Sequence, residues 1–342
     1  MKRLVILAAA VFTLASCAKT QVVYNEEPQE IAFRQVENAM TKVNTSLGKW
    51  KDGSMGVFAY KTNDGTDYFE NAKFAKHSTY SYWVGNTTSY YWPFQGSLDF
   101  YFYAPHQADD VSVNTNYNIL TISTFTNTDY DSTPYNGEGD NLNYNCADLM
   151  YGYEIITKNK DQAADNDGIP VTLKHALALV QVKADATTEN LVTIISMKLE
   201  DTPLSADLDV EYIDADGDDE TPYTGAAVWN NYDETIDLTI VSDESAVGAA
   251  SAQLGNEVLV IPGRAQTSFK IVYKLAGSIT EFTATLPLST GSTPIWEAGM
   301  KYVYKISFGV EEIKFAPEVV EWDEGEVAEG SEGGVSVAAV QP

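Results

Sequence analysis

From Ile31 onward the dominant pattern is period two, the spacing of a strand with one covered face. Clear cases are Ile236-Leu238-Ile240, Phe269-Ile271-Tyr273-Leu275, Phe282-Ala284-Leu286-Leu288 and Tyr302-Tyr304-Ile306-Phe308, with Thr, Lys or Ser among the intervening positions. Three further runs are apolar on almost every position: Leu98 to Ala104, Leu177 to Val182, and Val258 to Ile261. Those read as central strands covered on both faces. Helical spacing is scarce, and Gly, Asn, Asp or Pro interrupts the chain roughly every ten residues, the rhythm of a sandwich or barrel. The pattern predicts an all-β chain of about fourteen strands packed as β-sandwiches.

Polar stretches set the expected divisions. Lys158 to Pro170 carries Lys-Asn-Lys-Asp-Gln and Asp-Asn-Asp-Gly without apolar periodicity, so an N-terminal sandwich is expected over 31–165 and a C-terminal one over 166–322. A second polar loop, Asp214 to Thr224, falls inside the later half. Residues 323–334 are acidic and Gly-rich, an extended spacer by composition, and Val335-Ser336-Val337-Ala338-Ala339-Val340 follows as a short strand former with no partner nearby in sequence. Residues 323–342 are therefore expected to be a linker and a free terminal strand.

The other end reads as an address. Lys2 and Arg3 precede the apolar run Leu4 to Leu14, which is too short to span a bilayer. Leu14-Ala15-Ser16-Cys17 resembles a bacterial lipobox. On that resemblance, residues 1–16 are a signal peptide, Cys17 is the acylated first residue of the mature chain, and 17–30 is a polar lipid tether. No later segment has 18 consecutive apolar residues, so no second spanning segment is expected.

Composition narrows the chemistry. The 342 residues include 49 Asp and Glu against 21 Lys and Arg, a net charge of −28. Losing Lys2 and Arg3 with the leader takes it to −30. A surface of that sign argues against nucleic acid and against electrostatic docking to anionic lipid. Two Cys and three His cannot build a disulfide framework or a Cys/His zinc cluster. Cys146, the thiol left after lipidation, has no motif around it. His77, His106 and His175 occupy unrelated contexts, and His175, between Leu173 and Leu177, reads as a hydrogen-bonded core residue.

No nucleophile elbow, His-Glu-x-x-His pair or Walker loop occurs, so no enzyme and no cofactor are expected. Asp214-x-Asp216-x-Asp218 begins like a calcium loop but has Asp219 where Gly is needed and Gly225 where Glu is needed. The acidic loop Asp214 to Glu220 is read as solvated. Asn44-Thr45-Ser46 and Asn86-Thr87-Thr88 read as surface loops. The clusters Tyr80-Ser81-Tyr82-Trp83 and Tyr90-Tyr91-Trp92 are read as core aromatics; exposed, they would suit a surface glycan-binding lipoprotein, the rival reading from another class.

Several segments resemble the fimbrillin family, the pilin lipoproteins of type V pili. They are Ile31-Ala32-Phe33, Trp50-Lys51-Asp52-Gly53 with Gly56-Val57-Phe58-Ala59-Tyr60, Tyr91-Trp92-Pro93 through Pro105, Asp148-Leu149-Met150-Tyr151, Leu173-Lys174-His175-Ala176-Leu177, Val260-Ile261-Pro262, and Trp296-Glu297-Ala298-Gly299-Met300 through Tyr304. Their order, together with the lipobox, carries the resemblance. It implies two tandem transthyretin-like antiparallel β-sandwich domains. It also implies export to the outer membrane as a lipoprotein and residence in the cell-surface fimbrium in support of adhesion. Assembly would be by strand exchange with other copies and other pilus subunits, as stalk, anchor or tip.

In that scheme an extracellular trypsin-like protease removes a first strand and another subunit's strand fills the groove. Ile31 and Phe33 would face inward on the displaced strand. Lys42 is the preferred cleavage site, with Arg34, Lys49 and Lys51 as the other candidates. Val335, Val337 and Val340 would anchor the donor strand, and twelve spacer residues reach about 40 Å when extended.

Overall fold

In the computed structural model the described residues are 29–35, 54–127, 148–157, 168–187, 192–213, 224–263, 267–288, 296–309, 312–321 and 335–338, apart from 78, 80–81 and 94–95. All regular structure among them is β. The strands are β1 (Phe33–Gln35), β2 (Ser54–Lys61), β3 (Asp67–Lys76), β4 (Trp83–Gly85), β5 (Ser97–Ala104), β6 (Val111–Asn114) and β7 (Ile119–Thr126). Then come β8 (Met150–Thr157), β9 (Ile169–Val171), β10 (Lys174–His175), β11 (Ala178–Ala186), β12 (Val192–Ile213), β13 (Thr224–Val241) and β14 (Ser245–Val247). Last are β15 (Ala252–Gln253), β16 (Val258–Val260), β17 (Ser268–Leu275), β18 (Glu281–Pro287), β19 (Met300–Phe308), β20 (Glu312–Glu321) and β21 (Val335–Ala338). That exceeds the expected fourteen because short pieces such as β4, β9, β10 and β15 are too brief to show a period.

The strands form three sheets. An eight-stranded sheet runs β10-β8-β5-β2-β3-β4-β1-β9. Its two end strands, β9 and β10, are consecutive in the chain and separated only by Thr172 and Leu173. A sheet whose opposite ends are so tied must curl, and this one rolls around a core of its own that includes Ile31, Phe33, Phe74, Phe100 and Phe102. A seven-stranded sheet runs β18-β17-β12-β7-β6, with β13 and β14 also on β12. A six-stranded sheet runs β15-β11-β19-β20-β21, with β16 on β11. An aliphatic-rich core, including Val180, Ile194, Ile240 and Ile271, draws on both of these sheets. A third core joins the outer face of the roll to the start of the sandwich.

The apolar-throughout runs are the strands that serve two cores. On β5, Leu98, Phe100 and Phe102 face the inside of the roll, while Tyr101 and Tyr103 face the junction. Val258 and Val260 belong to the sandwich, and Leu259 and Ile261 to the junction. Alternation disappears from the sequence because both faces are dry. The period-two runs, by contrast, are β17, β18 and β19, with Phe269, Ile271 and Tyr273 buried on one side of β17.

Two features differ from expectation. The sheets are mixed rather than purely antiparallel: β1–β9 and β11–β19 are parallel ladders, the latter from Leu179↔Lys301 to Ala186↔Phe308. Strand pairing also crosses the expected division at 165. β9 and β10 complete the first sheet, while the β6–β7 hairpin pairs with β12 through Val210↔Leu120 and its neighbours. An open sheet edge takes whichever strand lies beside it, regardless of where composition changes.

Candidate functional site

The site begins with a simple alternation, Ile31-Ala32-Phe33-Arg34. Ile31 and Phe33 are fully buried, and Arg34 is exposed. The segment is held by few backbone bonds. Ile31 N donates to the Tyr90 carbonyl at 2.7 Å, Trp92 N to the Gln29 carbonyl at 2.9 Å, and Ile169 N to the Ala32 carbonyl at 2.8 Å. Phe33 pairs with Trp83 on β4, and Phe33, Arg34 and Gln35 pair with Ile169, Pro170 and Val171 on β9. Within the fold β1 is therefore a narrow slat between two neighbours.

Side-chain packing is far more extensive than this ladder. The Phe33 ring lies 5.1 Å from Phe74, 5.3 Å from Phe100 and 5.0 Å from Phe102, each edge to face. That is the favoured aromatic arrangement. Burying Ile31 and Phe33 contributes about 1.5–3 kcal/mol each. Gly168, just before β9, has φ +76, and a Cβ there would stand 2.9 Å from the Phe33 carbonyl carbon. Only glycine lets the backbone pass so close in that conformation. Arg34 Nε donates to the Gly168 carbonyl at 3.2 Å.

Of the remaining cleavage candidates, Lys42, Lys49 and Lys51 fall between β1 and β2 in sequence, outside the described residues; Cys17, before β1, is outside them too. Arg34 is inside β1 itself. Cys146 and the acidic loop 214–220 are likewise outside the described residues. The aromatic clusters go mostly into the core. Trp83 is buried, Tyr90 lies 4.4 Å from Phe69 and stacks on Phe74, and Trp92 meets Phe100 edge to face. Tyr91 is exposed at 44%, and its carbonyl accepts the Tyr68 hydroxyl. Tyr80 and Ser81 lie outside the described residues.

At the other end the sequence offers the tail no partner nearby, and the structure seats it on its own chain. β21 lies antiparallel on β20 of the same chain, with Phe315↔Val335, Ile313↔Val337 and Glu312↔Ala338 in register. The reason is the outer edge of β20, which without β21 would present a row of unpaired N–H and C=O groups. The paired residues lie 20 to 26 positions apart in sequence, beyond what local pattern reveals. Val340 lies outside the described residues.

Titratable groups elsewhere serve the fold. Asp148 and His175, from two of the quoted segments, meet at the β8–β10 pairing, with His175 Nδ1 2.9 and 3.0 Å from the two carboxylate oxygens and both side chains buried. Burial lowers the pKa of His106, whose Nε2 lies 3.3 Å from the Asn71 carbonyl oxygen. Glu257, buried, is held by Gln181 and by Lys301 at 3.1 Å. Glu154 on β8, which sequence reading passed over, stands opposite Phe100, and burial pushes its carboxyl up to about 7. Among the described residues no three His, Cys, Asp or Glu side chains group to hold a metal, and no helix is long and apolar enough to cross a membrane. The Phe74–Phe100–Phe102 box was also missed: alternation marks inward positions on one strand but not which strands converge.

The profile of a family described as fimbrillin-like matches residues 41–322. No curated protein matches the sequence. Among solved structures, a candidate cell-adhesion protein from Bacteroides uniformis is similar, with TM-score 0.51 and 16% identity over 86% of this chain and 98% of that one. One from Bacteroides ovatus has TM-score 0.50 and 13% identity over 89% and 99%. A fimbrial protein from Bacteroides vulgatus has TM-score 0.49 and 15% identity over 86% and 99%.

Proposed function

Because the chain belongs to the fimbrillin-like family, whose members are structural pilus proteins rather than enzymes, we propose that it is a pilus subunit assembled by protease-triggered strand exchange. Family membership supports association with other pilus subunits at the cell surface. The mechanism is the further step. The chain is exported as a lipoprotein acylated at Cys17 and held at the outer membrane. A trypsin-like protease cuts at Lys42, or at Arg34, Lys49 or Lys51, and β1 leaves. A strand from another subunit then fills the groove between β4 and β9, with main-chain hydrogen bonds supplying affinity and side-chain pockets supplying specificity. The tail strand, with Val335, Val337 and Val340 as anchors, is the candidate donor to the next subunit.

The observation that carries this reading is the imbalance at β1. A three-residue strand and the two residues before it insert two fully buried side chains, Ile31 and Phe33, into the roll, and all four candidate basic residues stand within the strand or between it and β2. Cleavage there leaves a hydrophobic slot flanked by two strand edges, which a sheet-forming partner satisfies. The seat of β21 on β20 takes away the free-tail argument for a stalk position, so donor capacity decides among stalk, anchor and tip. Aromatic burial likewise weighs against the glycan-binding alternative.

The test compares mature chain with chain lacking residues 335–342 after mild trypsin treatment, read by native mass measurement. The reading expects one cut between 34 and 51 and multimer ladders that need the tail. Equal ladders from both proteins would remove the tail as donor, and absence of any ladder would remove the exchange.

A further inference from the structure

The pocket beneath Phe33 is shaped for a ring. Three phenylalanines surround it at 5.0–5.3 Å with interplanar angles of 63°, 77° and 82°. All four rings are fully buried. Such a box has no slack: its walls are themselves packed, Phe100 against Phe102 at 5.9 Å and Phe74 against Tyr90 at 5.6 Å. Close-packed interiors relax only partly around a missing group, so a smaller side chain leaves a void.

The chain's own tail has nothing to fill that box. Residues 323–342 contain no Phe, Tyr or Trp. Val335 and Val337 repeat the two-residue spacing of Ile31 and Phe33, so a tail laid into the groove in that register sets valine where the ring stands. A second, independent observation agrees: the tail is already seated elsewhere, on β20.

We infer that the groove vacated by β1 prefers a strand bearing an aromatic residue two positions after a branched aliphatic one, so that such a strand from a different subunit displaces the tail of a second copy of this chain, which enters more weakly. The inference rests on the exchange reading above and deepens it, because it ranks the donors that compete for this groove. The recognising chemistry is the aromatic box, with Gly168 setting how closely the incoming backbone lies.

The experiment uses mature chain nicked at one engineered protease site between residues 42 and 51, both pieces kept, and offered four labelled peptides. These are residues 29–36, the same peptide with Phe33→Val, residues 331–342, and that tail peptide with Val337→Phe. Fluorescence anisotropy gives affinities and native mass measurement confirms exchange. The native 29–36 peptide is expected to enter the groove, and Phe33→Val to weaken it about 30-fold. The tail peptide is expected to bind no better than the valine variant, and Val337→Phe to restore at least tenfold. A tail peptide within about threefold of the native one, or no gain from Val337→Phe, overturns the selectivity while leaving the exchange reading intact. Failure of the native peptide itself to enter overturns both.

Discussion

The sandwich and the roll bury their cores in different ways. Between the six- and seven-stranded sheets the core is largely aliphatic, with Val180, Val182, Ile194, Leu199, Ile240 and Ile271 among its buried residues. Its ladders are long: β19 pairs with β20 from Met300↔Glu321 to Phe308↔Ile313 without a break. Inside the roll the core is richer in aromatic rings, and one of them, Phe33, arrives on a strand of three residues with a single register pair to β4 and three to β9. Aliphatic layers on long strands cannot release one member without breaking many backbone hydrogen bonds. A ring on a short slat binds tightly through shape yet is tied down by little else. The lesson is that hydrophobic contribution and backbone pairing are separable, and that the segment rich in the first and poor in the second is the exchangeable one.

The strongest way to break this contrast is Phe33→Ala. It should cost about 3–5 kcal/mol, the usual range for deleting a buried ring. Because the loss falls on the roll, hydrogen exchange should show lost protection in β2, β4 and β5 while β17 and β19 keep theirs. Uniform loss across both regions would mean that the two cores unfold as one unit.

Gly168→Ala comes next, at about 1–3 kcal/mol, because it combines strained backbone with a clash against the Phe33 carbonyl carbon. Its expected signature is faster proteolysis between residues 34 and 51 with little change in the sandwich. Unchanged proteolysis would mean that β9 does not hold β1 in place.

Glu154 sharpens the comparison through pH. It lies on the same side of β8 as Met150 and Ile156, the face turned into the roll. Burial raises its carboxyl from the ordinary 4.5 to about 7. A carboxyl with a raised pKa binds its proton more tightly in the folded state. Its contribution is therefore fully present below about pH 4.5 and is lost as pH rises through 7. After allowance for partial solvent screening, the change is about 1–2 kcal/mol. Glu154→Gln should flatten the roll's stability between pH 5 and 8, as followed by denaturant midpoints. An unchanged slope would place the carboxyl in water.

The smallest effect is expected from deleting residues 335–342, since β21 covers only an edge. Thermal unfolding of the sandwich should shift by no more than about 1 kcal/mol equivalent. A larger loss would make the tail part of the sandwich rather than a separable strand.

How much of this was legible in the sequence differs by element. β17, β18 and β19 keep one apolar parity from end to end, so their positions follow from period two alone. β12 does not. Its buried residues include Val192 and Ile194, then Met197 and Leu199, then Leu208 and Val210. Parity flips where the register shifts between Ile194 and Ser196 and again between Leu199 and Thr202. Each bulge inserts an unpaired residue and reverses the face, so a 22-residue strand looks like short unrelated pieces. Ile31 and Phe33 were readable as the inward pair of a strand. The ring box was not, because its walls come from β3 and β5, and their convergence is a property of the curled sheet. The β20–β21 pairing was hidden for the same reason.

The central claim is that β1 is a replaceable part of the roll, and native mass spectrometry of the mature chain during limited trypsin digestion tests it most directly. The account predicts a folded species that has lost everything before a single cut between residues 34 and 51, followed by multimers whose masses rise in steps of that trimmed chain. A trimmed chain that keeps the β1 fragment bound indefinitely, or that unfolds without forming any multimer, would contradict it.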